Sequence, residues 1–221
     1  MPPLEGSTRA RIIAASMKAF GSDGFHATSL DSLASSLGVT KQTILHHFGS
    51  KDGVLAATTE AAAALLSNAV ASALAKPGNP DQRLTRVVHA IFALAARRPE
   101  LLGFVRDLSR LGSAPLANLR TALAPFLDRA SSFVVEEMFD GSSNDPARSS
   151  SALEVVLAGY AAVLAAAAEV EVLRSLGVEP TGRLFLRRRR EVIEYLRSLA
   201  VAKTLALPTT AAPGKFTSEL H

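Results

Sequence analysis

No cysteine occurs anywhere in the 221 residues. That excludes disulfides, thiolate-ligated zinc and thiol nucleophiles. It also fits a reducing compartment, and the cytoplasm is the expected location. Long hydrophobic runs are missing too. The longest, VVLAGYAAVLAAAA at Val155–Ala168, is bounded by Glu154 and Glu169. It falls short of the roughly 20 apolar residues a bilayer span needs, so a buried helix and no membrane partner are expected. The opening MPPLEGSTRARIIAASMKAF lacks a charged start followed by an unbroken apolar stretch, and no signal peptide is expected. Charge of one sign is sparse where it would matter most. Net charge is +4, yet over residues 1–53 Arg9, Arg11, Lys18, Lys41 and Lys51 face Glu5, Asp23, Asp31 and Asp52. The densest basic cluster, Arg183 with Arg187–Arg190, lies near the other end. Bulk charge alone is therefore poor evidence for nucleic-acid binding. No segment alternates as a strand does, and no repeat is evident.

What is present reads as helix throughout. Hydrophobic residues are 48% and charged residues 20%, enough for a substantial core. Prolines and glycines gather at AKPGNPD (75–81), RRPE (97–100), RLGSAP (110–115), FDGSSNDP (139–146) and LGVEPTG (176–182). Each fits one helix stopping and the next starting. Between them, Leu84, Val87, Val88, Ile91, Phe92 and Ala95 form one apolar stripe at helical period. Phe126, Leu127, Ala130, Phe133, Val134 and Met138 form another. The first part predicts three short helices. The first covers roughly Thr8–Gly21, with Ile12, Ile13, Ser16, Met17 and Phe20 inward. The second is capped by Thr28 or Ser29 and ends at Leu37; the third is capped by Thr40 and ends near Phe48. A long fourth helix starts near Ser50, with Asp52 complementing its N-terminus.

The second and third helices fit a helix-turn-helix. Leu30, Leu33, Leu37, Val39 and Ile44 occupy its apolar positions. Ala34 falls where the helices cross, and Gly38 falls at a turn that favours positive φ. An αα-hairpin serving only packing satisfies the same residues. The flanks separate the two readings. RARIIAASMKAFGSDGFHATSLDSLASSLGVTKQTILHHFGSKDGVL resembles the DNA-binding segment of the TetR (tetracycline repressor-like) family almost end to end. Arg11, Ile13, Ala14 and Ala15 open the match, followed by Phe20, Gly24, Thr28–Ser29, Leu33–Ala34, Gly38–Val39–Thr40, Thr43, Phe48, Ser50–Lys51 and Leu55. Leu45 departs from it, since members commonly carry a tyrosine there that serves the DNA backbone.

The expectation is an all-α chain of three parts. A three-helix helix-turn-helix DNA-binding domain covers 1–53, a larger helical effector-binding and dimerisation domain covers 54–204, and a flexible tail covers 205–221. A recognition helix enters the major groove N-terminus first. Thr40, Lys41, Gln42, Thr43 and His46 are then the candidate DNA contacts. Gln42 suits adenine and Lys41 suits guanine or phosphate. Thr43 can offer its methyl to thymine or its hydroxyl to phosphate. Thr28 and Ser29 open the second helix, where N–H groups and hydroxyls meet a phosphate. Thr28, Ser29 and Thr40 read equally as plain caps. The resemblance implies a backbone contact for Lys51, which otherwise reads as a solvated lysine.

Adjacent histidines suggest metal, but a zinc pair on a helix prefers spacing i, i+4. Neighbours diverge by about 100°. His46 is therefore expected to face DNA, and His47 to sit at the seam with the first helix or on a phosphate. No metal, no cofactor and no catalytic set is expected. In the larger part Phe92, Phe104, Phe126, Phe133, Met138, Phe139 and Tyr160 read as pocket lining or as ordinary core. His89, Arg97, Arg106 and Asp107 are its candidate polar groups, without an assigned effector role. Small residues at Ala158, Ala162 and Ala166 suit close helix approach. An apolar stripe runs through Phe185, Val192, Leu196 and Leu199, interrupted by Arg189, and one of the arginines is expected to pair with Glu169 or Glu171. The resemblance implies a homodimer formed by the last two helices, a pseudo-palindromic double-stranded DNA operator, and a small-molecule effector that releases a repressor by moving the fourth helix. The alternatives are a helical enzyme or ligand-binding protein, or an interaction module whose hairpin only packs.

Overall fold

The computed structural model describes residues 6–108, 110–111, 113–139, 146–179 and 181–207. Among them every regular element is helical: α1 Thr8–Ser22, α2 Leu30–Leu37, α3 Lys41–Phe48, α4 Lys51–Leu74, α5 Pro80–Arg97, α6 Pro99–Leu108, α7 Ser113–Phe133, α8 Pro146–Ser175 and α9 Gly182–Ala206. The helix starts follow from side-chain chemistry. Free N–H groups at a helix N-terminus need acceptors. The hydroxyls of Ser7, Ser29, Thr40 and Ser50 accept from the backbone three residues on, at 3.1, 2.9, 3.1 and 3.0 Å. Asn79 does the same for α5, with Gln82 answering back to the Asn79 N–H. Of the two candidate caps for α2, Ser29 takes the role. Thr28 is buried, and its hydroxyl donates to the Gly24 carbonyl at 2.9 Å.

The turn between α2 and α3 is closed by Gly38 at φ +66°, with Val39 N–H donating to the Ala34 carbonyl at 3.1 Å. A β-carbon on Gly38 would meet nothing within 4 Å. Glycine is required there by backbone conformation, not by space. Leu33, Ala34 and Ile44 are buried where the two helices cross, over Ile12, Met17 and Phe20 of α1. The inner face of α1 is the expected one. Arg11 donates to the Leu37 carbonyl at 2.9 Å, tying α1 to the C-terminus of α2.

This apolar cluster does not stop at the expected 53/54 boundary. It continues through Val54, Leu55 and Ala62 of α4 and Leu101, Phe104, Val105 and Leu108 of α6. By length and composition α4 is apolar enough to cross a membrane. Its Val54, Thr58, Thr59, Ala62 and Val70 are instead buried against neighbouring helices, and the two threonine hydroxyls donate to carbonyls four residues back. A second cluster joins Leu84 and Val88 of α5, Phe133 of α7, Val155 of α8 and Val192, Ile193 and Leu196 of α9. Pro125 lies inside α7, and the chain widens to a π-helical turn at Val134–Met138, where Phe139 N–H donates to the Val134 carbonyl at 3.0 Å. Neither feature shows in the periodicity. The turn places Glu137 against Arg83, whose guanidinium also lies 5.4 Å over the Phe133 ring. Arg188 is the arginine that pairs with Glu169, at 2.5 and 2.6 Å. Helix α9 runs to Ala206, two residues into the segment expected as a tail, and residues 208–221 lie outside the described residues.

The tightest joint is between α1 and α6. A β-carbon on Gly21 would overlap the Glu100 carbonyl oxygen, and one on Gly103 would overlap that of Gly21. Around this contact the Phe20 and Phe104 rings stack at 6.2 Å, and Asp107 accepts from Phe25 N–H at 2.8 Å. Gly103→Ala is expected to cost about 1–3 kcal/mol through overpacking. The cost should appear as a lower urea midpoint at unchanged m-value; an unmoved midpoint would mean the crossing has room to spare.

Candidate nucleic-acid interface and cavity

Helix α3 holds its place through one side. Ile44 is wholly buried, and Thr40 caps the first turn while its hydroxyl also meets that of Thr43 at 2.9 Å. The arginine head of Arg9 covers the Phe48 ring at 5.3 Å. The other side carries Lys41, Gln42, His46 and His47, all exposed, beside half-buried Thr43. Lys41 is not free: its ammonium pairs with Asp31 at 2.9 Å. Such exposed pairs contribute about 0–1 kcal/mol, so a phosphate or a base edge can replace Asp31 at little cost. The pairing was not foreseen, because ten residues and a turn separate the partners.

The histidine rings stand 5.6 Å apart at 65° to each other. His47 meets Phe48 edge-on at 6.1 Å and is exposed, so it is not buried in a seam with α1. Among the described residues no three His, Asp or Glu side chains converge as a metal site. Ser29, at the start of α2, spends its hydroxyl on Ser32, and Thr28 spends its own on Gly24. What these positions still offer an anion is the helix N-terminus itself. Lys51, at the start of α4, lies 4.3 Å over the Phe25 ring, with its ammonium 3.5 Å from the His26 carbonyl. Lys51 is thus held beside the helix-turn-helix by an aromatic ring rather than left loose in solvent.

The second feature is a cavity of about 350 Å³ among α4 to α9. Helix α4 contributes Leu66, Val70 and Leu74; α5 contributes Leu84, Val87, Val88 and Ile91; α6 contributes Leu101, Leu102 and Val105. Phe126, Ala130 and Phe133 of α7, Val155, Leu157, Gly159 and Tyr160 of α8, and Val192 and Leu196 of α9 add to the wall. Of the seven candidate lining residues, Phe126, Phe133 and Tyr160 do line it. Phe104 and Phe139 are core, while Phe92 and Met138 pack at the edge of the second cluster. None of the proposed polar groups reaches it. Asp107 serves Phe25, and Arg97 and Arg106 are exposed. His89 is held below the ordinary histidine range by burial and then by Arg189. Among the described residues Tyr160 is the one polar side chain in the lining. Its phenol is pushed above the usual tyrosine range by burial and is neutral at physiological pH.

Comparison with known proteins bears on the helix-turn-helix and on the fold. Residues 12–58 match the model of the bacterial regulatory proteins of the tetR family. No curated protein matches the chain in sequence. Among solved structures, FadR from Bacillus subtilis in complex with stearoyl-CoA is 14% identical, with a TM-score of 0.69 over 86% of this chain and 97% of its own. A TetR-like transcriptional regulator from Rhodococcus sp. RHA1 is 20% identical, with a TM-score of 0.60 over 90% of this chain and 96% of its own. SCO4454, a TetR-family transcriptional regulator from Streptomyces coelicolor, is 17% identical, with a TM-score of 0.62 over 90% of this chain and 94% of its own. Residues 12–58 are thus a DNA-binding segment of the tetR family of bacterial regulatory proteins, and the chain as a whole shares the fold of solved TetR-like regulators.

Proposed function

We propose that this regulator is a homodimeric repressor that a small molecule releases from a pseudo-palindromic operator. The observation that carries the reading is the double use of α6. Gly103, Phe104 and Asp107 grip α1, while Leu101, Leu102 and Val105 face the cavity. Helix α4 is shared in the same way: Val54 and Leu55 belong to the core under the helix-turn-helix, and Leu66, Val70 and Leu74 belong to the cavity wall. A ligand that repacks the wall shifts two helices on which the DNA-reading head is built. Typical coupling between two such sites is about 1–3 kcal/mol and acts in both directions. FadR holding stearoyl-CoA supports a small-molecule role for the body of this fold.

A second copy is supported by where apolar surface remains. Among the described residues every exposed large hydrophobic lies between Leu153 and Leu205, on α8, on α9 or between them. Patches of that kind mark association surfaces. A two-fold dimer presents two α3 helices, so half-sites about 34–36 Å apart, or a multiple, are expected. The proposed DNA contacts are Thr40, Lys41, Gln42, Thr43, His46 and His47 on α3, the α2 start at Thr28 and Ser29, and Lys51 on the backbone. We assign 1–53 to DNA, 54–204 to effector and dimer, and the bacterial cytoplasm as the place of action.

Selection of bound sites from random DNA is the decisive experiment, and a palindrome is the expected result. Recovery of no sequence preference, with no salt-dependent binding to any duplex, would sink the reading. Within such a site, Gln42→Ala should relax one A·T position at a cost of about 1–3 kcal/mol. Lys41→Ala should weaken all sequences alike and make the salt slope shallower by about one. Thermal stability should move little, because the Asp31 pair is exposed. His46→Ala should lower gel-shift affinity at matched salt while the far-UV circular dichroism and melting temperature stay put; unchanged affinity removes His46 from the interface.

A further inference from the structure

The cavity wall limits what can occupy it. We infer that the effector is a neutral, predominantly hydrocarbon molecule carrying at most one hydrogen-bonding group, which Tyr160 receives. The inference rests on reading this cavity as the effector site, and it narrows that site to one class of ligand. The volume of about 350 Å³ falls within the range of small-molecule sites. Most such sites carry several convergent polar groups that fix orientation. Among the described residues leucine, valine, isoleucine, phenylalanine and alanine supply nearly all of the wall, and Tyr160 supplies the one hydroxyl. An ion enclosed there would lose its hydration and gain no partner, a loss that proteins avoid unless the charge is matched.

The nearest charged groups do not change this. Arg83 stacks on Phe133, but it is not part of the lining. Glu137 already neutralises it, and its remaining N–H groups point to the Leu74 carbonyl or into buried space. His89 sits beside Arg189 rather than in the wall. At the opposite side, Leu157 and Tyr160 are the lining residues with the greatest exposure, 50% and 41%. Both lie on the face that a second copy covers in the proposed dimer, so a polar end placed there leaves bulk water and needs the phenol as its partner. The phenol both donates and accepts, which suits an alcohol, an aldehyde or a ketone and gives a cation or carboxylate no opposite charge.

Equilibrium dialysis of the full chain, without DNA, against octanol, decanol and dodecanol tests this class. Affinity is expected to rise about fourfold per methylene until the cavity is full. Dodecanol should bind at least tenfold tighter than dodecanoate or dodecyltrimethylammonium. Tyr160→Phe should weaken dodecanol about fivefold and leave its methyl ether less affected. Ala130→Phe, which fills the wall, should abolish the series. If that variant fails to fold, the chain-length series on the unaltered protein still decides. Equal binding of the carboxylate or the ammonium, or an affinity flat in chain length, overturns the inference. DNA plays no part in the readout, so a protein that binds dodecanol but no operator overturns the repressor reading and leaves the ligand class standing.

Discussion

The structure turns on a place where two backbones touch. Gly21 and Gly103 bring α1 and α6 closer than any side chain permits. Helices at ordinary separation slide over a layer of deformable side chains. Helices in backbone contact have no such layer, so they move together or separate. α1 is also the floor of the DNA-reading head: Ile12, Met17 and Phe20 support Leu33, Ala34 and Ile44 above them. A displacement of α6 is therefore a displacement of the floor. The Asp107 bond to Phe25 N–H pins the far end of the same joint, so rotation about the glycine contact is restrained as well as translation.

The cavity gains its importance from that joint. Interiors are close-packed, and a void forfeits the dispersion contacts its lining atoms would otherwise make. This one lies where the two apolar clusters meet, with Leu101 and Val105 from the first and Leu84, Phe133 and Val192 from the second. Filling it would let each cluster pack against something in place of empty space. The gap between clusters is thus both a weakness in the unliganded fold and the point from which packing can reach α6.

Much of the head was legible in sequence because its constraints are local. Ser29, Thr40 and Ser50 sit three residues before the N–H groups they satisfy, and Ala34 and Gly38 sit where a short turn forces a small side chain and a positive φ. The inner face of α1 followed from its period alone. The failures share a physical cause, which is that they depend on partners distant in the chain. Phe25 and Asp107 are 82 residues apart, and nothing local marks Gly21 or Gly103 as halves of one contact. Phe104 and Phe133 have the same helical spacing and chemistry, yet one fills a core and the other lines a void. Periodicity says which face turns inward and is silent on whether the inside is full. Thr28 misled for a different reason. A hydroxyl before a helix can accept from the free N–H groups of the helix start or donate to a carbonyl in reach, and here it donates to that of Gly24.

The reading helix shows why its contacts and its fold can vary separately. At eight residues α3 is too short to persist alone, since isolated helices below about 12–15 residues are marginal in water. Its order comes from Thr40 at one end, Ile44 beneath and Phe48 under Arg9 at the other. None of these lies at positions 41, 42, 46 or 47, whose side chains are exposed and carry little folding energy. Substitutions there alter the exposed face of the helix at almost no cost in stability. Leu45 is half-buried and adds no polar group to that exposed surface. Lys51, held over the Phe25 ring at the start of α4, adds a fixed positive charge beside that surface.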